Sequence, residues 1–148
     1  MDATDEIKQF KLSEKRRQER MEAMLQKYSF LSDTYAHGNY DATDGLFNLI
    51  DELFAQISNI VERDKVDFDI LVVTQKCGLL RIYGHGGNDE IWTLIRDAEA
   101  RSATVCAFCG AEGEAERYEK SPWSVPLCPV CAVTYSFDQY VEDMGDLI

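Results

Sequence analysis

Four cysteines in two close pairs are the residues of this chain whose type and spacing most clearly specify a chemistry. Cys106 and Cys109 have two residues between them, as do Cys128 and Cys131, and eighteen residues separate the pairs. Two intervening residues let one tight turn aim both thiolates at one ion, and two such turns give the tetrahedral sulfur set that Zn²⁺ accepts. The spacing therefore predicts one zinc ion bound by Cys106, Cys109, Cys128 and Cys131, with iron or a redox dithiol as the alternatives.

The role predicted for this metal is structural. A zinc ion held by four thiolates has no open position for water or substrate. Gly110 supplies a permissive backbone after the first pair, residues 114–127 can form a hairpin, and the stretch after Cys131 can form a short helix. This layout is typical of a zinc ribbon or a treble clef. The fifth cysteine, Cys77, has no partner nearby in sequence and is predicted to be a small packed thiol.

Two helices are predicted ahead of the cysteines. Residues 3–28 are rich in helix formers, and residues 44–63 carry the clearest helical stripe of apolar side chains in the chain. Either Thr43 or Asp44 can cap the start of the second helix. Residues 31–43, between the two helices, are small and polar and predict a loop.

The apolar period then changes from helical to extended. Residues 68–75 and 79–84 are β-branched and apolar, which predicts two strands joined by a hairpin turn at residues 76–78. A third helix is predicted at residues 89–101, with Asn88 as its N-cap. The glycine-rich stretch before it is interpreted as a turn and cap rather than as an anion site.

These elements predict an α+β fold. The order is an N-terminal helix, an amphipathic helix, a β-hairpin, a helix and a C-terminal four-cysteine zinc ribbon or treble-clef-like subdomain. Three parts are expected: a helical extension at residues 1–35, an α+β core at residues 36–102, and a zinc-binding subdomain with an acidic C-terminal helix at residues 103–148.

The net charge of −12 is unevenly distributed. Residues 1–35 hold equal numbers of acidic and basic side chains, so the excess of acid lies in residues 36–148. An anionic surface repels nucleic acid phosphates, since binding them requires a Lys/Arg footprint, and it attracts basic surfaces. Simple solubility is the first interpretation of this charge, and attraction to a basic partner is the alternative.

No recognisable catalytic motif is present. The only histidines are His37 and His85, and neither belongs to an acid–base motif. Two pairs of nearby carboxylates can hold a metal, although carboxylates are abundant throughout the chain; these are Asp41 with Asp44 and Asp67 with Asp69. We therefore expect no enzyme activity. The acidic start of the chain and the absence of a long apolar run predict a cytoplasmic protein that does not enter membranes.

Several motifs occur together in an order that resembles a family of uncharacterised bacterial and phage proteins. They are DGLFNLIDEL at 44–53, the run from TQKCGLLRIYGHGGNDE to CAFCGAEG at 74–113, and PLCPVCA at 126–132. The family carries a KEKFGGLRFY-like hairpin and a CxxCG…LCxxHA pattern, and the resemblance covers roughly residues 41–132. Cys131 stands where the family usually has histidine, which preserves a metal site. The resemblance implies a phage or mobile-element origin and transfers no activity.

The leading functional hypothesis is a non-enzymatic, zinc-stabilised acidic protein that binds and inhibits or modulates a host or defence protein that handles nucleic acid. In its sharpest form the carboxylates imitate nucleic acid, as a DNA mimic or an anti-CRISPR protein would. The predicted contact residues are Glu112, Glu114, Glu116 and Glu119 in the zinc hairpin, and Asp138, Glu142, Asp143 and Asp146 in the tail.

Two other functions stay open. The first is a nucleic acid-binding zinc module, for which the candidate residues are Arg101, Arg117, Tyr118, Lys120 and Trp123. The second is an enzyme with an unrecognised carboxylate site. The N-terminal helix has two further features: a basic cluster that either meets nucleic acid or is a solvated face, and an apolar group that can form a homodimer. The cluster is Lys15, Arg16, Arg17 and Arg20, and the group is Met21, Met24 and Leu25.

Overall fold

The chain folds into helices packed on a small sheet, followed by a cysteine-rich subdomain. The structure, a computed structural model, describes residues 3–76, 78–112, 116–117 and 126–134. The helices are α1 (Ala3–Lys27), α2 (Asp33–Ala36), α3 (Phe47–Asp64), α4 (Asp89–Arg101) and α5 (Pro129–Thr134). The strands are β1 (Tyr40–Asp41), β2 (Phe68–Lys76), β3 (Leu79–Gly86), β4 (Glu116–Arg117) and β5 (Pro126–Leu127). This confirms the predicted α+β class.

The predicted hairpin forms the main part of a three-stranded sheet. Strands β2 and β3 pair antiparallel from Phe68 opposite Gly86 to Lys76 opposite Leu79. A bulge between Ile70 and Val72 shifts the register within β2. Strand β1 pairs parallel with β2 on its other side. Cys77, predicted to be a packed thiol in the hairpin turn, lies outside the described residues.

Helix α3 and the sheet enclose one apolar core. The buried face of α3 consists of Leu49, Ile50, Leu53, Phe54, Ile57 and Ile60. The side chains that meet it from the sheet and from α4 include Phe68, Ile70, Val73, Leu80, Ile82, Ile91 and Ile95. Full burial of a side chain of this size contributes about 1.5–3 kcal/mol, so this core is the main source of stability.

The second half of α1 belongs to the same core. Met21, Met24 and Tyr28 are buried there, and Leu25 is half-buried against them, as the helical spacing predicted. The Tyr28 ring packs edge-on against Phe54 of α3 with 5.6 Å between the ring centroids. The methionines proposed for a dimer contact therefore lie in the core of their own chain. Among the described residues, no helix combines the length and apolarity needed to cross a bilayer.

The prediction of a loop at residues 31–43 was wrong. This segment contains the short helix α2, which begins after an N-cap at Ser32, and the strand β1. Tyr35 is fully buried and packs against the buried Tyr40 ring at 6.1 Å. Burial of these two aromatic side chains, rather than local propensity, fixes the conformation of a stretch that is otherwise polar.

The expected side-chain cap of α3 does not form. A 3-10 turn at Asp44–Leu46 precedes the helix, and Thr43 makes no capping hydrogen bond with its hydroxyl. The Asp44 carboxylate instead pairs with arginines of α1. The cap of α4 agrees with prediction, since Asn88 Oδ1 accepts a hydrogen bond of 3.0 Å from the Ile91 N–H.

Strand β3 lies at the edge of the sheet, and two side chains from the end of α4 cover its backbone. Ser102 Oγ accepts a hydrogen bond of 2.9 Å from the Leu80 N–H, and Glu99 Oε2 accepts one of 3.1 Å from the Ile82 N–H. Ser102 is fully buried and also donates to the Glu99 carbonyl oxygen at 2.6 Å. An uncovered edge offers free N–H groups for pairing with another chain, and Glu99 and Ser102 occupy two of these groups on β3.

Replacing Ser102 with alanine is expected to reduce the free energy of unfolding by about 1–3 kcal/mol, because the buried Leu80 N–H loses its acceptor. Urea denaturation would measure the loss, and hydrogen exchange should accelerate at the Leu80 amide. The matched control is Thr104→Ala, because the Thr104 hydroxyl is exposed and donates to the Arg101 carbonyl at 3.2 Å. Equal losses in the two variants would contradict a special role for Ser102.

Candidate metal centre

The two cysteine pairs meet at one point, as their spacing predicted. The sulfur atoms of Cys106, Cys109, Cys128 and Cys131 all lie within 4.8 Å of one another. The first pair is in a turn after the 3-10 turn that ends α4, Cys128 follows β5, and Cys131 is in α5. The four cysteines therefore form a cluster that is compatible with one metal ion.

The dimensions of the cluster fit a four-coordinate metal. Zinc–sulfur bonds of about 2.3 Å in a tetrahedron place the sulfur atoms about 3.8 Å apart. Cys109 Sγ and Cys128 Sγ are 3.6 Å apart, and all four cysteines are free thiols rather than disulfides. Cys106 and Cys128 are buried while Cys109 is exposed, so the cluster lies at the boundary between the interior and solvent.

Backbone N–H groups point at the sulfur atoms. The Cys131 N–H donates to Cys128 Sγ at 3.4 Å. Burial raises the pKa of Cys106, but hydrogen bonds from the backbone of Cys109, Cys128 and Phe108 lower it more, and the result is a pKa of about 6. Burial and the neighbouring thiols raise the pKa of Cys131 to about 12. One thiolate forms readily and the next is disfavoured beside it, so a cation is what allows all four to ionise together.

The loop that carries the first pair is closed by short backbone hydrogen bonds. The Gly110 N–H donates to the Cys106 carbonyl at 3.0 Å, and Gly110 has the left-handed φ of +78° that the turn requires. The Ala107 N–H donates to the Pro126 carbonyl at 2.8 Å and thereby links the two cysteine pairs. Strands β4 and β5 pair antiparallel, as the predicted hairpin requires, and the rest of the predicted hairpin lies outside the described residues.

A backbone contact that was not predicted joins this loop to the core. The Gly45 N–H donates to the Ala107 carbonyl at 2.9 Å. A Cβ atom on Gly45 would lie 1.9 Å from the Cys106 carbonyl oxygen, and one on Gly110 would lie 2.9 Å from the Gly45 carbonyl oxygen. The two glycines let the backbone before α3 contact the backbone of the cysteine loop directly. The only sequence signal for this contact is the glycine in the DGL turn.

Two residues that were candidates for opposite functions pair with each other. Arg101, a candidate nucleic acid contact, has its guanidinium 2.7 Å from the carboxylate of Glu112, a candidate contact for a basic partner. Glu116 and Arg117 form β4. The other predicted contact residues lie outside the described residues: Glu114, Glu119, Asp138, Glu142, Asp143 and Asp146, together with Tyr118, Lys120 and Trp123 of the alternative function.

The three arginines of the basic cluster of α1 pair with carboxylates outside that helix. Arg16 and Arg20 pair with Asp44 at 3.6 and 2.5 Å, and Arg17 pairs with Asp41 at 3.1 Å. The carboxylate pair Asp41 and Asp44, considered as a metal site, thus binds arginines. Lys15 pairs with Glu19 on the same helix. The three arginines therefore link α1 to the segment that precedes α3.

Within the part of the chain that the structure describes, the four cysteines are the only group of three or more His, Cys, Asp or Glu residues that is close enough to share a metal ion. No protein-family model, curated protein or solved structure matches the chain. The function is therefore inferred from the geometry of the cysteine cluster and from the charges of the described residues.

Proposed function

We propose that this chain is a non-enzymatic, zinc-stabilised binding protein whose anionic surface engages a basic protein that handles nucleic acid. Cys106, Cys109, Cys128 and Cys131 hold the zinc ion, and the C-terminal part is a zinc ribbon or treble clef. Bound zinc supplies the positive charge that lets four thiolates share one site, and it cross-links two loops that have little core of their own. The metal shapes the binding surface and does no chemistry.

The distribution of paired and unpaired charges carries the proposal for the partner. Among the described side chains, the cations without a carboxylate within ion-pair distance are Lys65, Lys76, Arg81 and Arg96. A larger set of carboxylates has no cationic partner there: Glu22, Asp33, Glu52, Glu62, Asp67, Asp69, Asp89, Asp97 and Glu99. Most of the described cations are paired with carboxylates of the same chain, so the unpaired side chains are mainly negative. Such a surface attracts a basic partner.

The same pairing weakens the alternative of a nucleic acid-binding module. The candidate cations of this alternative whose side chains the structure describes each already lie against a carboxylate; they are Lys15, Arg16, Arg17, Arg20 and Arg101. Phosphate binding would have to break these pairs and would bring phosphates close to Asp41, Asp44 and Glu112. The resemblance to bacterial and phage proteins supports a host or defence protein as the partner, with inhibition as the effect.

A tagged pull-down from a bacterial lysate, with and without nuclease treatment, tests the proposal. We expect a basic nucleic acid-handling protein to stay bound after nuclease treatment and to elute with rising salt, since the attraction is electrostatic. With the captured protein purified, a duplex or single-stranded oligonucleotide should compete with the chain for the same surface.

Charge reversal identifies the surface involved. Replacing Glu114, Glu119, Asp138, Glu142, Asp143 and Asp146 with lysine should abolish capture while zinc content stays at one ion per chain. Capture of nucleic acid itself, or only of proteins that are lost on nuclease treatment, would contradict the proposal in favour of the nucleic acid-binding module.

A further inference from the structure

We propose that a groove at the start of β2 is a docking site for an extended, lysine-bearing segment of a partner protein. The β2 groove, as we name it, has a volume of about 530 Å³. It lies between the C-terminal end of α3 and the paired ends of β2 and β3, and it is lined by described residues. None of its lining residues belongs to the cysteine cluster or to the set of predicted acidic contact residues.

The floor of the groove is apolar. Phe30 and Phe68 close it from below, and their rings pack together with 5.8 Å between centroids. Val61 of α3 and Val66, which follows that helix, form one wall, and both are half-buried. A floor of this kind covers the methylene stem of a long side chain and leaves its charged end at the rim.

The rim of the groove is negative. Asp67 and Asp69 are exposed at the groove, and neither has an ion-pair partner among the described residues. The nearby arginine, Arg63, is already paired with Asp64 and Glu90 at 2.9 and 2.6 Å. The C-terminal end of α3 adds partial negative charge from its last carbonyl groups. Among the residues described, no lysine or arginine lines the groove.

Shape and charge together specify the occupant. An anionic segment would be repelled by both carboxylates, and a purely apolar one would leave them desolvated beside it. A lysine carries a four-carbon stem for the floor and an ammonium for the rim. His85 lies directly across the hairpin from Asp69 and borders the same groove, so its ring can contact the backbone of the docked segment. The occupant is therefore an extended segment in which lysines alternate with small or apolar residues.

This inference rests on the proposed function and locates one contact of the basic partner. The direct test uses the zinc-loaded full chain and a fluorescein-labelled peptide, Gly-Lys-Leu-Lys-Ala-Lys-Gly, in an NMR titration and a fluorescence polarisation titration. We expect shifts centred on the amides of Ser29, Val66, Phe68 and His85. A peptide with each lysine replaced by glutamine should not bind.

The paired variant Asp67→Asn with Asp69→Asn should bind the peptide about tenfold more weakly, since two rim charges are lost. The matched control is Glu52→Gln with Asp97→Asn, which removes two exposed, unpaired carboxylates away from the groove and should change the affinity less than twofold. A second variant, Val66→Lys, places an ammonium in the groove and should also block binding. The inference is overturned if the wild type shows no saturable binding of the peptide. It is also overturned if the Asp67→Asn, Asp69→Asn variant binds the peptide as tightly as the Glu52→Gln, Asp97→Asn control does.

The pull-down separates failure of the groove from failure of the proposed function. The Asp67→Asn, Asp69→Asn variant could capture a nuclease-resistant basic partner as strongly as the wild type does. That result overturns the proposal that the groove is a docking site and leaves the proposed function standing. The opposite result is saturable, lysine-dependent peptide binding at the groove together with a pull-down that yields no basic partner. It supports the groove as a docking site and overturns the proposed function.

Discussion

Replacing Cys128 with serine is expected to abolish stoichiometric zinc binding and to unfold the C-terminal subdomain while leaving the α+β core intact. Cys128 is buried, with 4% of its surface exposed, and its sulfur lies 3.6 Å from that of Cys109. Structural zinc sites in small domains contribute apparent binding free energies of about 10–16 kcal/mol at neutral pH. Loss of one thiolate from a closed four-thiolate set removes most of that contribution.

The effect should be local because the residues that the structure describes form two separate buried clusters. The described part of the cluster around the cysteines consists of Cys106, Ala107, Leu127 and Cys128, and a cluster of this size is too small to be stable alone. The main core, built on α3, the sheet and α4, makes no use of these side chains. Amide signals of Ala107, Gly110 and Leu127 should therefore lose their dispersion, whereas those of Ile57 and Ile70 should persist.

Elemental analysis and an amide correlation spectrum measure the two parts of this prediction, and Cys77→Ser is the matched control. Cys77 is the one cysteine outside the predicted ligand set, so its variant should keep one zinc ion per chain and the wild-type spectrum. A chelator should reproduce the Cys128→Ser spectrum in the wild type. Full zinc occupancy in Cys128→Ser would refute the ligand assignment, and global unfolding would refute the separation of the two clusters.

The cysteine cluster and most of the helices and strands could be predicted because their signals are local. Two residues between cysteines restrict the geometry of a turn. Alternating apolar residues indicate a strand, and apolar residues at helical spacing indicate a helix. Asn88 and the helix that follows it are an example, since a cap and its helix are adjacent in sequence. Each of these interactions is encoded within a few residues.

The parts that could not be predicted depend on contacts between distant residues. The segment at 31–43 is polar in composition, yet Tyr35 and Tyr40 are buried because the sheet and α1 enclose them. The arginines of α1 resemble a solvated face until Asp41 and Asp44, more than twenty residues away, are placed beside them. Composition shows that such charges exist and cannot show which ones meet.

The turn at Asp44–Leu46 concentrates three such distant contacts in consecutive residues. Asp44 binds two arginines of α1, Gly45 contacts the backbone of the cysteine loop, and Leu46 is buried in the main core with 1% of its surface exposed. This turn thus joins the N-terminal helix, the metal centre and the core. A change at its central residue should be transmitted to the metal centre.

Gly45→Ala is expected to lower the free energy of unfolding of the zinc-loaded protein by about 2–5 kcal/mol, from the clash and the lost hydrogen bond together. The new Cβ would lie 1.9 Å from the Cys106 carbonyl oxygen and 2.7 Å from the Ala107 carbonyl carbon. Both are backbone atoms, so no side-chain rotation relieves the clash. The turn and the cysteine loop must move apart, which breaks the hydrogen bond from the Gly45 N–H to the Ala107 carbonyl.

Urea denaturation with zinc bound and after chelation distinguishes loss of the contact with the cysteine loop from a general effect on the core. The loss should be large in the zinc-loaded protein and small in the chelated protein, because the loop that Gly45 contacts is held in place by the metal. By linkage, Gly45→Ala should also weaken zinc binding by the difference between the two losses. The matched control is Gly38→Ala: Gly38 has a φ of +98° and open space around it, so its variant should gain backbone strain and lose about 1–2 kcal/mol of stability in both states. If Gly45→Ala costs the same with and without zinc, the turn belongs to the core alone and the metal centre is not coupled to it.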